Sequence, residues 1–155
     1  MTDTMNSWTP AAIAAAALLA CGSAAAQFKS PDDAIEYRQG ALAVMGHHFG
    51  QLGAMANGKI SYDAAAARAN AELVATLAKL PWSAFVEGSD KGETSARPEI
   101  WTQRDKFNAD AQKLQDAVAK LLEAARTGKP EALKAAFGPA GQACQSCHDD
   151  FRKRH

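Results

Sequence analysis

Cysteine is scarce in this chain of 155 residues: there are three, Cys21, Cys144 and Cys147. A framework of several disulfides is therefore excluded. Charge of one sign is not in excess either, with 17 Lys and Arg against 17 Asp and Glu. That balance argues against a nucleic-acid partner or a polybasic membrane contact. Aromatic residues make up only 7%, no stretch alternates apolar and polar residues as a half-buried strand would, and no internal repeat occurs. The longest apolar run, PAAIAAAALLA from Pro10 to Ala20, is too short and too rich in alanine to span a bilayer. Alanine itself is abundant, which favours helices packed closely through small side chains.

The apolar run has the length of a signal-peptide h-region. It leads to CGSAAAQF, where Ala24 and Ala26 supply small residues at the −3 and −1 positions of a cleavage site before Gln27. Residues 1–26 are therefore expected to be a secretory signal peptide cleaved after Ala26. No Lys or Arg precedes the run and Asp3 is acidic; a start at Met5 would remove that acid. Leu18-Leu19-Ala20-Cys21 also allows a looser lipoprotein reading with Cys21 lipidated. The expected product is an exported, soluble, periplasmic domain of residues 27–155 in which Cys144 and Cys147 are the only cysteines.

Four helical patterns fill this domain. The first opens at Ser30-Pro31-Asp32-Asp33, with an N-cap serine, proline at the first helical position and an acid three residues after the cap. Its stripe reads Ile35, Arg38, Leu42, Met45, Phe49, Leu52, and it stops near Asn57-Gly58. The second begins after Ser61 with Ala66, Asn70, Leu73, Leu77 and Leu80 on one face, and ends at Pro81. A long irregular connection from Pro81 to Pro98 follows; such loops often contribute to a site. The third helix starts near Glu99 with Ile100, Arg104, Phe107, Ala111, Leu114, Val118, Leu121 and Ala125, and Thr127-Gly128 ends it. The fourth carries Leu133, Phe137, Ala140, Cys144, Cys147 and Phe151. Its stripe keeps phase across Gly138-Pro139, which predicts one kinked helix. Alternating steps of three and four define the seam of a left-handed bundle. The fold class is all-α, an up-down-up-down four-helix bundle.

The chemistry concentrates in Cys144-Gln145-Ser146-Cys147-His148, seven residues before the end. Structural zinc would need a fourth ligand, and no second cluster of Cys or His completes a set. A thioredoxin-type pair would need an α/β pattern around it. The remaining reading is covalent haem c, both thiols adding to the vinyl groups while the adjacent imidazole binds iron. On a helix the two cysteines share a face and His148 lies one turn beyond Cys144. Too little chain follows to bring a ligand to the opposite face. A ligand or cover must come from an earlier helix.

A terminal CxxCH on the fourth helix, together with QFKSPDDAIEYRQGALAVM, LPWSAF, ARPEIW and the segment from AAFG to the end, resembles the cytochrome c′ family of class II c-type cytochromes over nearly all of residues 27–155. The resemblance implies five-coordinate iron with Leu42 over its open face; low-spin relatives place methionine there. It supports a haem propionate for Arg38, with Gln39 as a possible neighbour, against a stem that snorkels to water. It sets Arg152 beside the proximal imidazole, although a cation at a helix C-terminus explains that residue almost as well. Trp82 and Phe85 are expected to wall the haem. Arg104 reads as snorkelling, Met45 as core packing, and His47 and His48 as surface or interface residues. Leu42 offers no hydrogen-bond donor, so nitric oxide and carbon monoxide are favoured over oxygen. The expected function is reversible binding of these gases with ferric–ferrous electron transfer to an unknown redox partner. A low-spin electron carrier is the competing reading, and no nucleophile–base pair suggests an enzyme. The resemblance further implies a homodimer through the first two helices.

Overall fold

The computed structural model describes residues 27–153. The expected signal peptide, residues 1–26, lies outside them. Helix α1 spans Pro31–Ala56, α2 Ala64–Leu77, α3 Glu99–Thr102, α4 Arg104–Arg126 and α5 Pro130–Phe151. A 3-10 turn, Pro81–Ala84, opens the long connection. The four long helices pack in a ring, α1 on α2, α2 on α4, α4 on α5 and α5 back on α1, giving the up-down-up-down bundle.

The punctuation works as the residue types demand. Ser30 accepts from the Asp33 N–H at 3.1 Å and caps α1. Asp63 does the same for α2 through Ala66, at 2.9 Å. Gly128, with φ of 70°, turns the chain between α4 and α5. Helix α5 passes through Pro139 as one element, with Leu133, Ala140 and Phe151 buried; the stripe that holds phase across the proline has enough packing to keep the helix continuous.

Two details differ from the sequence expectation. The face of α2 that enters the core is Ala67, Ala71 and Val74, followed by Ala78, whereas Leu73 and Leu80 are exposed. Expected and observed stripes are one residue out of phase. In an alanine-rich helix the larger residues do not mark the buried side, because small residues let neighbouring backbones approach. The third helix is also divided. Gln103, at φ −122° and ψ 44°, separates α3 from α4. There Trp101 is drawn toward the connection, its indole N–H donating to the Val86 carbonyl at 3.0 Å.

Helices α1 and α5 pack closely at Gly53. A Cβ there would stand 2.6 Å from Cζ of Phe137, and Phe137 is held by stacking on Phe49 with centroids 4.5 Å apart. Gly53→Ala should gain about 1 kcal/mol of helix propensity but lose about 1–3 kcal/mol to overpacking. The expected result is a lower thermal midpoint, measured by circular dichroism. An unchanged or raised midpoint would show that the ring moves aside freely.

Candidate cofactor site

A cavity of about 500 Å³ lies between α1, α4, α5 and the long connection. That volume is in the range of cofactor and ligand pockets. Cys144, Cys147 and His148 line one wall, contributed by α5. Leu42 and Met45 line another, contributed by α1. Trp82 and Phe85 come from the connection, and Phe107 and Leu114 from α4. The side chains that the sequence singled out from three distant segments thus meet in one place.

Both cysteines are free thiols and half-buried. Burial raises the pKa of Cys144. Cys147 is pushed up to about 11, first by burial and then by the negative charge of Asp110. At neutral pH both are neutral thiols, with little of the thiolate that drives disulfide exchange. The His148 pKa is lowered, by burial and by the Arg152 cation, against the opposing charge of Asp149. Its imidazole is then neutral at pH 7, with the lone pair that a metal needs.

Arg38 is only 2% exposed, which overturns the snorkelling alternative. It lines the cavity, and its Nη atoms donate to the connection: Nη1 to the Ala84 carbonyl at 3.0 Å and Ser89 Oγ at 2.7 Å, Nη2 to the Ser89 carbonyl at 2.6 Å and Thr94 Oγ1 at 2.8 Å. Its Cζ stands 4.5 Å from the Phe85 ring centroid. Burial lowers its pKa to about 10, so it stays cationic at neutral pH. Gln39 also reaches the connection, donating to the Glu93 carbonyl at 2.8 Å. Arg152 is exposed at the end of α5 and lines the cavity mouth beside His148.

Arg104 does more than snorkel: it donates to the Phe85 carbonyl at 2.9 Å and lies 5.7 Å from the Trp101 ring centroid. Trp82 lines the cavity while its indole N–H donates to the Ala78 carbonyl at 2.6 Å. Neither His47 nor His48 is among the lining residues; His48 Nδ1 is instead 2.8 Å from Asn70 Oδ1. Met45 lines the cavity as well as the core, a position that its reading as core packing alone did not include.

Asp110 is a charged lining residue that the sequence reading missed. Its carboxylate is 5% exposed, 2.8 Å from the Lys113 ammonium and 3.3 Å from that of Lys106; Lys106 also pairs with Asp150. The signal was available, since Asp110 stands three residues after Phe107 and next to Ala111, on the inward face. The hydrogen bond from Lys113, with Lys106 in support, holds its carboxyl below the usual carboxylate range. A depressed folded pKa contributes stability that is present above the unfolded value, ~3.9, and is lost as pH falls through the folded one. Asp110→Asn should therefore lower the thermal midpoint at pH 7, and the gap to the parent should close as pH falls through the folded carboxyl's value. A gap that is constant with pH would remove charge from the explanation.

A paired thiol set, a neutral imidazole, an apolar opposite wall and this volume fit haem c. A family model described as cytochrome c′ matches residues 33–152. The cytochrome c′ of Rubrivivax gelatinosus is 48% identical over 129 residues, covering 83% of this chain and 100% of that protein. Among solved structures, a nitric oxide complex of a leucine-to-isoleucine mutant of cytochrome c prime from Alcaligenes xylosoxidans is 44% identical. It has a TM-score of 0.77 and covers 83% of this chain and 100% of that one. A carbon monoxide-bound leucine-to-glycine variant from the same organism is also 44% identical, with TM-score 0.77 and the same coverage of 83% and 100%.

Proposed function

The chain belongs to the cytochrome c′ family, whose cofactor is haem c, and from that premise we propose that it is an exported haem protein that reversibly binds nitric oxide and carbon monoxide. When bound, haem c supplies an iron atom that takes up diatomic gases and cycles between ferric and ferrous states. Cys144 and Cys147 would hold the group through thioethers, His148 would offer its neutral imidazole to the iron, and Leu42, on the α1 wall, would cover the space left for a gas. It has no donor atom, so it cannot ligate, and it gives no hydrogen bond to stabilise bound oxygen. Gases that need no such bond are favoured, and each must displace the Leu42 side chain to bind. Arg38, Gln39 and Arg152 all line the cavity, and Arg38 would face the propionates with Gln39 beside it.

The observation that carries this reading is the pairing of the CxxCH wall with a donorless Leu42 wall across one cavity. Optical spectra of purified protein test it. The ferric and ferrous forms should be high-spin, and carbon monoxide should shift the ferrous Soret band. A low-spin, methionine-ligated spectrum insensitive to carbon monoxide would replace this reading with an electron carrier. Met45 is the cavity-lining thioether that would then be responsible.

The protein acts by binding and electron transfer rather than by turnover of a substrate. Its location is the periplasm, after cleavage behind Ala26. It works as a homodimer through α1 and α2. Val44 on α1 and Leu73 on α2, 48% and 45% exposed, are apolar side chains that these two helices would offer to such an interface.

A further inference from the structure

The four Nη bonds of Arg38 all end between residues 84 and 94, and every acceptor is neutral. A buried guanidinium needs its donors satisfied, and these charge-assisted bonds tie the connection firmly to α1. Farther along, the same segment pairs with the end of α5. The Arg97 N–H donates to the Phe151 carbonyl at 3.0 Å and the Lys153 N–H to the Ser95 carbonyl at 2.8 Å. Ala96 and Arg152 form an antiparallel bridge between them. The Arg152 N–H in turn donates to the His148 carbonyl at 3.1 Å. Residues 84–97 are therefore a strap that starts at the α1 wall and finishes on the last turn of α5, the turn that carries His148.

We propose that Arg38 is a positioning residue that acts across the cavity on His148, by holding the strap that fixes the last turn of α5. The inference rests on His148 being the axial ligand. The wall that faces the incoming gas is thereby tied to the wall that holds the imidazole, and loosening the first loosens the second.

Arg38→Lys keeps the cation but loses the fork. Ser89→Ala removes one acceptor of Arg38 together with the Ser89 hydroxyl's own bond to the Val86 carbonyl inside the strap, and does not touch the cavity, since Ser89 is not among its lining residues. Both are made as holoproteins and read in two ways. Amide hydrogen exchange at Arg97 and Lys153 should accelerate about tenfold, the effect of losing roughly one hydrogen bond, while α2 and α4 amides stay unchanged. The iron–imidazole stretching band of the ferrous protein, read by resonance Raman, should shift or broaden in both variants. Faster exchange with an unmoved band reduces Arg38 to a loop clamp and overturns the proposal. Unchanged exchange overturns it too, because the strap would then hold without Arg38. Should Arg38→Lys yield no folded holoprotein, Ser89→Ala decides alone. An iron–imidazole band missing from the parent protein would instead sink the ligand assignment itself, and the proposal with it.

Discussion

Replacing Cys144 and Cys147 together with alanine is expected to give a chain that releases all its haem to acid–acetone and does not hold its native packing. The two thiols are the only cysteines of residues 27–155, and both line the cavity, so no other side chain can form the thioethers. The energetic effect is larger than the loss of two bonds suggests. An empty cavity of about 500 Å³ remains in the middle of the bundle. Left unfilled, its apolar walls lose their packing partners, and the total stability of a domain is only about 5–15 kcal/mol. The helices should persist on their stripes and caps, while side-chain order around Trp82, Phe85, Phe107 and Leu114 is lost. Near-ultraviolet circular dichroism should therefore collapse with the far-ultraviolet signal largely kept, and a hydrophobic dye should bind. A double variant with the parent's thermal midpoint would mean that the bundle does not fold around its cofactor.

Replacing Leu42 with alanine is expected to accelerate carbon monoxide association by about tenfold, equivalent to ~1.4 kcal/mol of barrier. Leu42 is half-buried on α1 and packs against the core as it lines the cavity. The incoming gas must push it aside, and a methyl group leaves that space open. The same change should lower stability by about 1–3 kcal/mol through lost apolar burial, so the rate is compared well below the melting range. Leu42→Met is the complementary test. It places a thioether where leucine has none and should convert the ferrous spectrum toward low spin, with slower uptake of the gas. If stopped-flow rates are the same for leucine, alanine and methionine, Leu42 is not the cover.

The most legible parts of the fold were those where residue size, polarity and local chain chemistry point the same way. Ser30-Pro31 and Thr127-Gly128 mark their helix ends in any tertiary setting, because caps and turns are settled by neighbouring residues. The stripe of α4 from Phe107 to Ala125 is buried as its period requires. Helix α2 was less legible, since alanine marks no side and only contact with α1 and α4 selects Ala67, Ala71 and Val74 over Leu73. Asp110 was overlooked for a related reason. A carboxylate on an inward position becomes intelligible only once Lys113 and Lys106 are seen to hold it.

Arg38 shows where the boundary falls. Its place on an apolar stripe was visible from spacing alone, and so was the expense of burying it. Which atoms would satisfy it was not, because Ala84, Ser89 and Thr94 lie some fifty residues away in a connection without periodicity. The sequence by itself determined the all-α class, the four long helices and the chemistry of Cys144, Cys147 and His148, since these rest on local propensity, periodic burial and a five-residue motif. The tertiary structure alone decided what joins the implied Leu42 around that motif: Met45 in the same cavity, Asp110 near Cys147, and a strap running from Arg38 to the last turn of α5. Such meetings depend on how the helices dock and where an irregular segment lies, and the free energy that settles them is shared among residues far apart in the chain.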